Sequence, residues 1–226
     1  MCFSATASFT AAIVIGSIGV ATLKTCNTSN ERYFGAIPLL FAFQQFIEGF
    51  VWLSLTRPEY SQLQGLASVS FLFFAWVVWP ILIPLSVYKL ENGGIKKSLN
   101  RWLFFLGLGS GLYALYTLAA GQVIPYVAEL HIDYKFVFEH KNKQFLFIQQ
   151  AVYLMVTILP LFLSTVKGTK ILATANLISL MFAFLFFSQA LPSVWCFFAA
   201  ILSGIIYWIL KTKNHPVPES MVYVQK

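Results

Sequence analysis

Seven apolar runs dominate this chain, at roughly 5–23, 34–55, 67–88, 102–120, 145–165, 170–190 and 193–210. Each approaches the ~20 residues an α-helix needs to cross about 30 Å of hydrocarbon, a solvent in which every backbone N–H and C=O must be satisfied internally. The reading is an all-α integral membrane protein, a bundle of seven transmembrane helices. The spans consume most of the 226 residues. That leaves a single membrane domain, residues 1–212, a short tail at 213–226, and no soluble domain. Composition agrees, because 58% hydrophobic and 10% charged residues lie far outside the range of soluble domains.

Basic residues are retained on the cytoplasmic side of a membrane, which sets the orientation. Alternate connections carry Lys24 and Arg32, then Lys89, Lys96, Lys97 and Arg101, then Lys167 and Lys170, with Lys211, Lys213 and Lys226 in the tail: eleven in all. The opposite connections carry four, Arg57, Lys135, Lys141 and Lys143. The N-terminus is therefore expected outside and the C-terminus inside, in a multi-pass plasma-membrane protein. No basic residue precedes Lys24, so the first run reads as an uncleaved span rather than a signal peptide. Topology accounts for the net charge of +7 without a nucleic-acid partner. The natural companion of such a charge is anionic lipid.

Most connections are short and rich in turn residues. The exception lies between helices 4 and 5, at about 121–144, where Ala128, Leu130, Ile132, Tyr134, Phe136 and Phe138 alternate with Glu129, His131, Asp133, Lys135 and Val137. Period two is a strand signature. It predicts a β-hairpin or extended flap over the outer mouth of the bundle.

Glu48 is the one acidic residue expected within the hydrocarbon, and no Lys, Arg or His falls near the centre of a span. An ionised side chain there costs about 2.5–3.5 kcal/mol on insertion scales, so such groups face the bundle interior and find partners. Helical spacing puts Gln45, Glu48 and Trp52 on one stripe with Gln44 beside it. Partner candidates are Gln149 and Gln150 in helix 5, then Asn176 and Gln189 in helix 6. One reading makes Glu48 a protonated residue that joins helices through hydrogen bonds. The other makes it a site for a proton, a cation or a polar ligand, which burial in its neutral form suits.

The thiols divide by side. Cys26 falls in an inner connection, where a reduced, inert thiol is the default. Cys2 and Cys196 fall on the outer side, at the starts of helices 1 and 7, which a seven-helix ring makes neighbours. There they could form a disulfide, hold a soft metal or perform thiol chemistry, with Cys2 as nucleophile and Glu48 as acid or base. Cys196 in VWCFFAA equally fits a small hydrophobe, and Cys2 a lipid-modified residue. On the flap, Glu129, His131, Asp133 and His140 form a candidate set for a divalent metal, or a solvated strand face.

Haem b is disfavoured because His131, His140 and His215 all lie outside the spans, and retinal because no lysine sits inside one. No phosphate-binding loop, serine nucleophile elbow or Cys-x-x-Cys motif is present. No cofactor is assigned.

The opening Met1-Cys-Phe-Ser-Ala5 and the block Gln44-Gln45-Phe-Ile-Glu48-Gly49-Phe-Val-Trp52 resemble the signature segments of an uncharacterised, mainly bacterial family of multi-pass membrane proteins. The resemblance covers the first two helices, implies no activity, and marks Cys2, Gln45, Glu48 and Trp52. For a bacterial member the plasma membrane is the inner one. Three functions stay open. The first is a binding or transport protein whose site around Glu48 opens to the outer face. The second is an outer-face thiol or metal-dependent enzyme or redox protein using Cys2. The third is an accessory subunit, since Phe-rich faces such as FAFLFF fit lipid and a partner helix, or a homo-oligomer, equally well.

Overall fold

The computed structural model describes residues 4–128, 131–137, 143–186 and 198–214. It is mostly helical, with one small sheet. Helix α1 (Ala5–Lys24) starts at Ser4, whose side chain accepts from the Ala7 N–H. A short helix α2 (Ser29–Gly35) starts with a reciprocal capping box, in which Thr28 caps the Glu31 N–H and Glu31 reaches back to the Thr28 N–H. Only Ala36 separates it from α3 (Ile37–Thr56), which begins with a proline in its first turn.

The third rod is irregular. A 3₁₀ turn (Pro58–Leu63) leads into α4 (Gln64–Phe73), a π-helical segment (Phe74–Val78) and α5 (Trp79–Leu90). Pro80 stands in the first turn of α5 and Pro84 inside it. Helix α6 (Gly94–Ala120) follows, then strands β1 (Gln122–Ala128) and β2 (His131–Val137), and helices α7 (Lys143–Leu163), α8 (Thr169–Phe186) and α9 (Ala199–Asn214).

Four continuous helical segments are long and apolar enough to cross a membrane: Ala5–Lys24, Ser29–Thr56, Pro58–Leu90 and Gly94–Ala120. Seven such spans are expected from the sequence; α7 and α8 contribute the shorter apolar stretches Phe147–Leu163 and Thr169–Leu185. The seventh expected run begins among residues outside the described set.

Helix α1 packs on α3 and on α9, so the first and last described helices are neighbours. From there contacts run α3 to α4, α5 to α6 and α7, α7 to α8, and α8 to α9. Small residues set the closest approaches. A Cβ on Gly49 would lie 2.5 Å from the Phe9 ring, and one on Gly19 2.8 Å from Leu39. Between α5 and α6 the approach is tighter. Pro84 has no N–H, so the Pro80 carbonyl loses its in-helix donor. Gly107 brings the α6 backbone against that oxygen, which lies 1.9 Å from where a Cβ would stand.

The expected hairpin is present, with antiparallel pairing from Gln122↔Val137 to Ala128↔His131. The alternating run does not form one continuous strand. Its His131–Val137 portion is β2, paired with Gln122–Ala128, and the two residues between the strands lie outside the described set. Ile132, Tyr134 and Phe136 face the helices: Tyr134 stacks on Phe71 with centroids 5.3 Å apart, and Phe136 meets Trp76 edge-on at 5.5 Å. Gln64 Nε2 donates to the Pro125 carbonyl at 3.5 Å, tying the sheet to α4.

Candidate functional site

Three polar side chains of α3 are withdrawn from solvent together: Gln44 and Gln45 are 1% exposed and Glu48 0%. Spacing explains the pairing of the last two, since residues three apart share a helix face. Gln45 Nε2 donates to Glu48 Oε2 at 2.8 Å. Gln44 turns the other way, towards α5, where its Oε1 accepts from Trp79 Nε1 at 2.7 Å. Phe41, one turn earlier, lies against the Trp79 ring with centroids 4.1 Å apart, which fixes the indole for that bond.

The polar seam continues away from α3. One turn before Trp79, inside the π segment, the Ala75 carbonyl accepts from the Tyr153 hydroxyl of α7 at 2.8 Å. A π turn is a widened, less regular stretch of ladder, often found where a helix serves a site. Here it presents a main-chain oxygen sideways to a neighbouring helix. Thr157, one turn along α7, is fully buried, and its hydroxyl returns to the Tyr153 carbonyl at 2.8 Å.

Two buried polar atoms at this level have no hydrogen-bond partner among the described residues, Gln44 Nε2 and Ser8 Oγ. Ser8 is 0% exposed on α1. Its neighbour Phe9 packs on Gly49, which puts Ser8 within about a turn of the depth of Glu48. An orphaned polar atom in a buried place costs about 1–3 kcal/mol. Each such atom calls for an explanation.

The other expected site residues are dispersed. Trp52 is buried one turn from Glu48, in a core with Val51, Phe71 and Ile132. Gln149 does not reach across the bundle; its Nε2 bonds Ser110, to the carbonyl at 3.0 Å and to Oγ at 2.8 Å. Gln150 is exposed on the helix surface. Asn176 is buried in α8. Cys2, Cys196, Gln189, Glu129 and His140 lie outside the described residues. Of the metal candidates that remain, His131 Nε2 and Asp133 Oδ1 are 3.7 Å apart, and no group of three or more His, Cys, Asp or Glu gathers among the described residues. Asp133 also accepts from the Tyr126 hydroxyl at 3.0 Å. That hydrogen bond, with some burial and the carboxylate charge, pushes the Tyr126 phenol above its ordinary value.

Two further carboxylates serve the opposite end of the bundle. Glu31, 2% exposed, receives Lys213, Asn214 Nδ2 at 2.9 Å and the Asn27 N–H at 2.8 Å, so the last helix is latched to α2. Glu91, also 2% exposed, accepts from Ser164 Oγ at 2.7 Å, the Thr165 N–H at 2.8 Å and Thr165 Oγ1 at 2.6 Å, locking the link after α5 to the link after α7. The Thr28-Ser-Asn-Glu31 spacing is a visible capping signal, whereas nothing local marks Glu91. Cys26 sits beside this first latch. Burial, then the Glu31 carboxylate, push its thiol above the usual value against weaker opposition from Arg32 and Lys213.

No curated protein and no solved structure matches the chain. A protein family does, over residues 1–221, nearly the whole sequence, and so well beyond the two segments of the first two helices. The chain belongs to DUF6629, a family of unknown function.

Proposed function

We propose that the chain is a multi-pass plasma-membrane protein with seven spans, N-terminus outside and C-terminus inside, that binds a proton or small polar ligand at the Glu48 cluster. The observation that carries this reading is the orphaned Gln44 Nε2, buried one helical turn before a wholly buried carboxyl group in a segment long and apolar enough to span a membrane. Joining helices needs only mutually satisfied groups. An amide donor kept in reserve one turn from Glu48 suits a guest with an acceptor, and Glu48 itself suits an exchangeable proton. Transport across the membrane would follow from alternate access to this site, with the hairpin over its outer side.

The test uses the purified chain in liposomes. Infrared difference spectra taken across a pH titration should contain a protonated-carboxyl band that is lost in Glu48→Gln, while the helical amide bands stay unchanged. Proton flux read by a trapped pH dye should lose its pH dependence in the same variant. An unaltered carboxyl band and unaltered flux in Glu48→Gln would overturn the reading.

A further inference from the structure

The basic end of the bundle contains a groove that the Glu48 site does not use. It has a volume of about 200 Å³ and is lined by Tyr88, Gly94, Lys97, Ser98 and Arg101. Aromatic rings hold Lys97 in the groove and Lys89 beside it. Lys97 Nζ stands 5.4 Å from the centroid of the Tyr88 ring, and Lys89 Nζ lies 5.9 Å from that ring and 5.7 Å from Tyr33. Among the described residues none of Lys89, Lys97 and Arg101 is in an ion pair, and the nearest acid in sequence, Glu91, is committed to Ser164 and Thr165. The groove also sits at the start of α6, where Gly93 provides no side-chain cap. Free N–H groups at such a terminus favour an anion.

What lies next to the groove identifies the kind of anion. Along α6 the positions of Arg101, Phe105, Leu112 and Tyr116 follow spacings of four, seven and four, which keep them on one stripe. Phe105, Leu112 and Tyr116 are 53%, 54% and 61% exposed. Ile95 and Trp102, on the adjacent face, are 79% and 67% exposed. A cationic cup therefore opens onto an exposed apolar track that includes Phe105 and Leu112 and is about as long as an acyl chain. A soluble phosphate compound or an acidic peptide would use the cup and make no use of the track.

We propose that this groove is a binding site for the phosphate headgroup of an anionic phospholipid, with an acyl chain laid along Phe105 and Leu112. The assignment rests on the membrane-spanning reading of the chain but not on any role of Glu48. Arg101 and Lys97 hold the phosphate oxygens, and Ser98 and the α6 N-terminus donate to them.

Native mass spectrometry of the full chain, released from nanodiscs containing phosphatidylcholine and phosphatidylglycerol, tests it. The wild type should retain phosphatidylglycerol selectively. The double variant Lys97→Gln, Arg101→Gln should bind it about 30-fold more weakly, at roughly a factor of five per basic residue near an anionic surface. Lys97→Arg should retain it, and Lys167→Gln with Lys170→Gln, the same charge change elsewhere, should leave it unchanged. Thermal melts confirm that each variant is folded. Equal loss in the distant pair would overturn the site in favour of diffuse attraction. Displacement of the lipid by inorganic phosphate at equal concentration would overturn the lipid assignment. Selective retention by Glu48→Gln separates this result from the fate of the Glu48 reading.

Discussion

Gly107 gives the sharpest energetic prediction. An alanine there would place its methyl 1.9 Å from the Pro80 carbonyl oxygen and 3.3 Å from Pro84 Cγ. Carbon–oxygen contacts settle near 3.3–3.6 Å, so α5 and α6 must part by about 1.4 Å or more at this point. The obstacle is main chain held by two prolines, which cannot swing aside as a side-chain tip would. Overpacking of this kind costs about 1–3 kcal/mol, here towards the upper end, and alanine returns up to about 1 kcal/mol of helix propensity. The expected net loss for Gly107→Ala is about 2 kcal/mol, or roughly 4–8 °C in Tm for a chain of this size. Gly109, two residues away, meets nothing within 4 Å. Gly109→Ala should thus show only the propensity gain, from zero to about 1 kcal/mol of stabilisation. Tryptophan fluorescence during thermal unfolding in one detergent reports both. Equal melting temperatures for the two variants would refute the argument that the α5–α6 contact depends on a backbone approach at Gly107.

Three further outcomes follow from the polar groups. Trp79→Phe removes the donor to Gln44 Oε1 and should destabilise by about 1–3 kcal/mol; adding Gln44→Leu should recover part of it in a double-mutant melt, because no polar atom is then left unpaired. Glu91→Ala deprives Ser164 and Thr165 of their shared acceptor, so limited proteolysis should cut the link around 164–168 faster, with a loss of about 2–3 kcal/mol. The raised Cys26 thiol reacts as the thiolate, so its alkylation should begin at a higher pH than that of a cysteine peptide; onset at or below the peptide's pH would contradict the burial and Glu31 effects.

The sequence conveys the helical, apolar character and the inward-facing carboxylate because both rest on local pattern. Glu48 and Gln45 pair as their spacing implies. The partner of Gln149 was not legible: a helical stripe says which way an amide points, and whether it meets Glu48 or Ser110 depends on how closely α6 approaches, which the glycines of another helix decide. The hairpin was half legible. Alternation from His131 to Val137 is clean, while β1 contains Pro125 and shows no simple inside–outside order, so only pairing with β2 defines it. The latch on Glu91 escapes sequence reading altogether, since its acceptor and donors lie more than 70 residues apart.

The π segment at Phe74–Val78 acts as a phase shifter. A widened turn is equivalent to one residue inserted into a regular helix, and one residue of a 3.6-residue turn rotates all that follows by about 100°. Deleting a residue there would leave α5 helical and apolar, yet swing its prolines away from Gly107 and its indole away from Gln44. The α3–α5 bond and the α5–α6 approach thus share a single angular setting, and an insertion or deletion in those five residues would change both at once while leaving in place the side chains that make them.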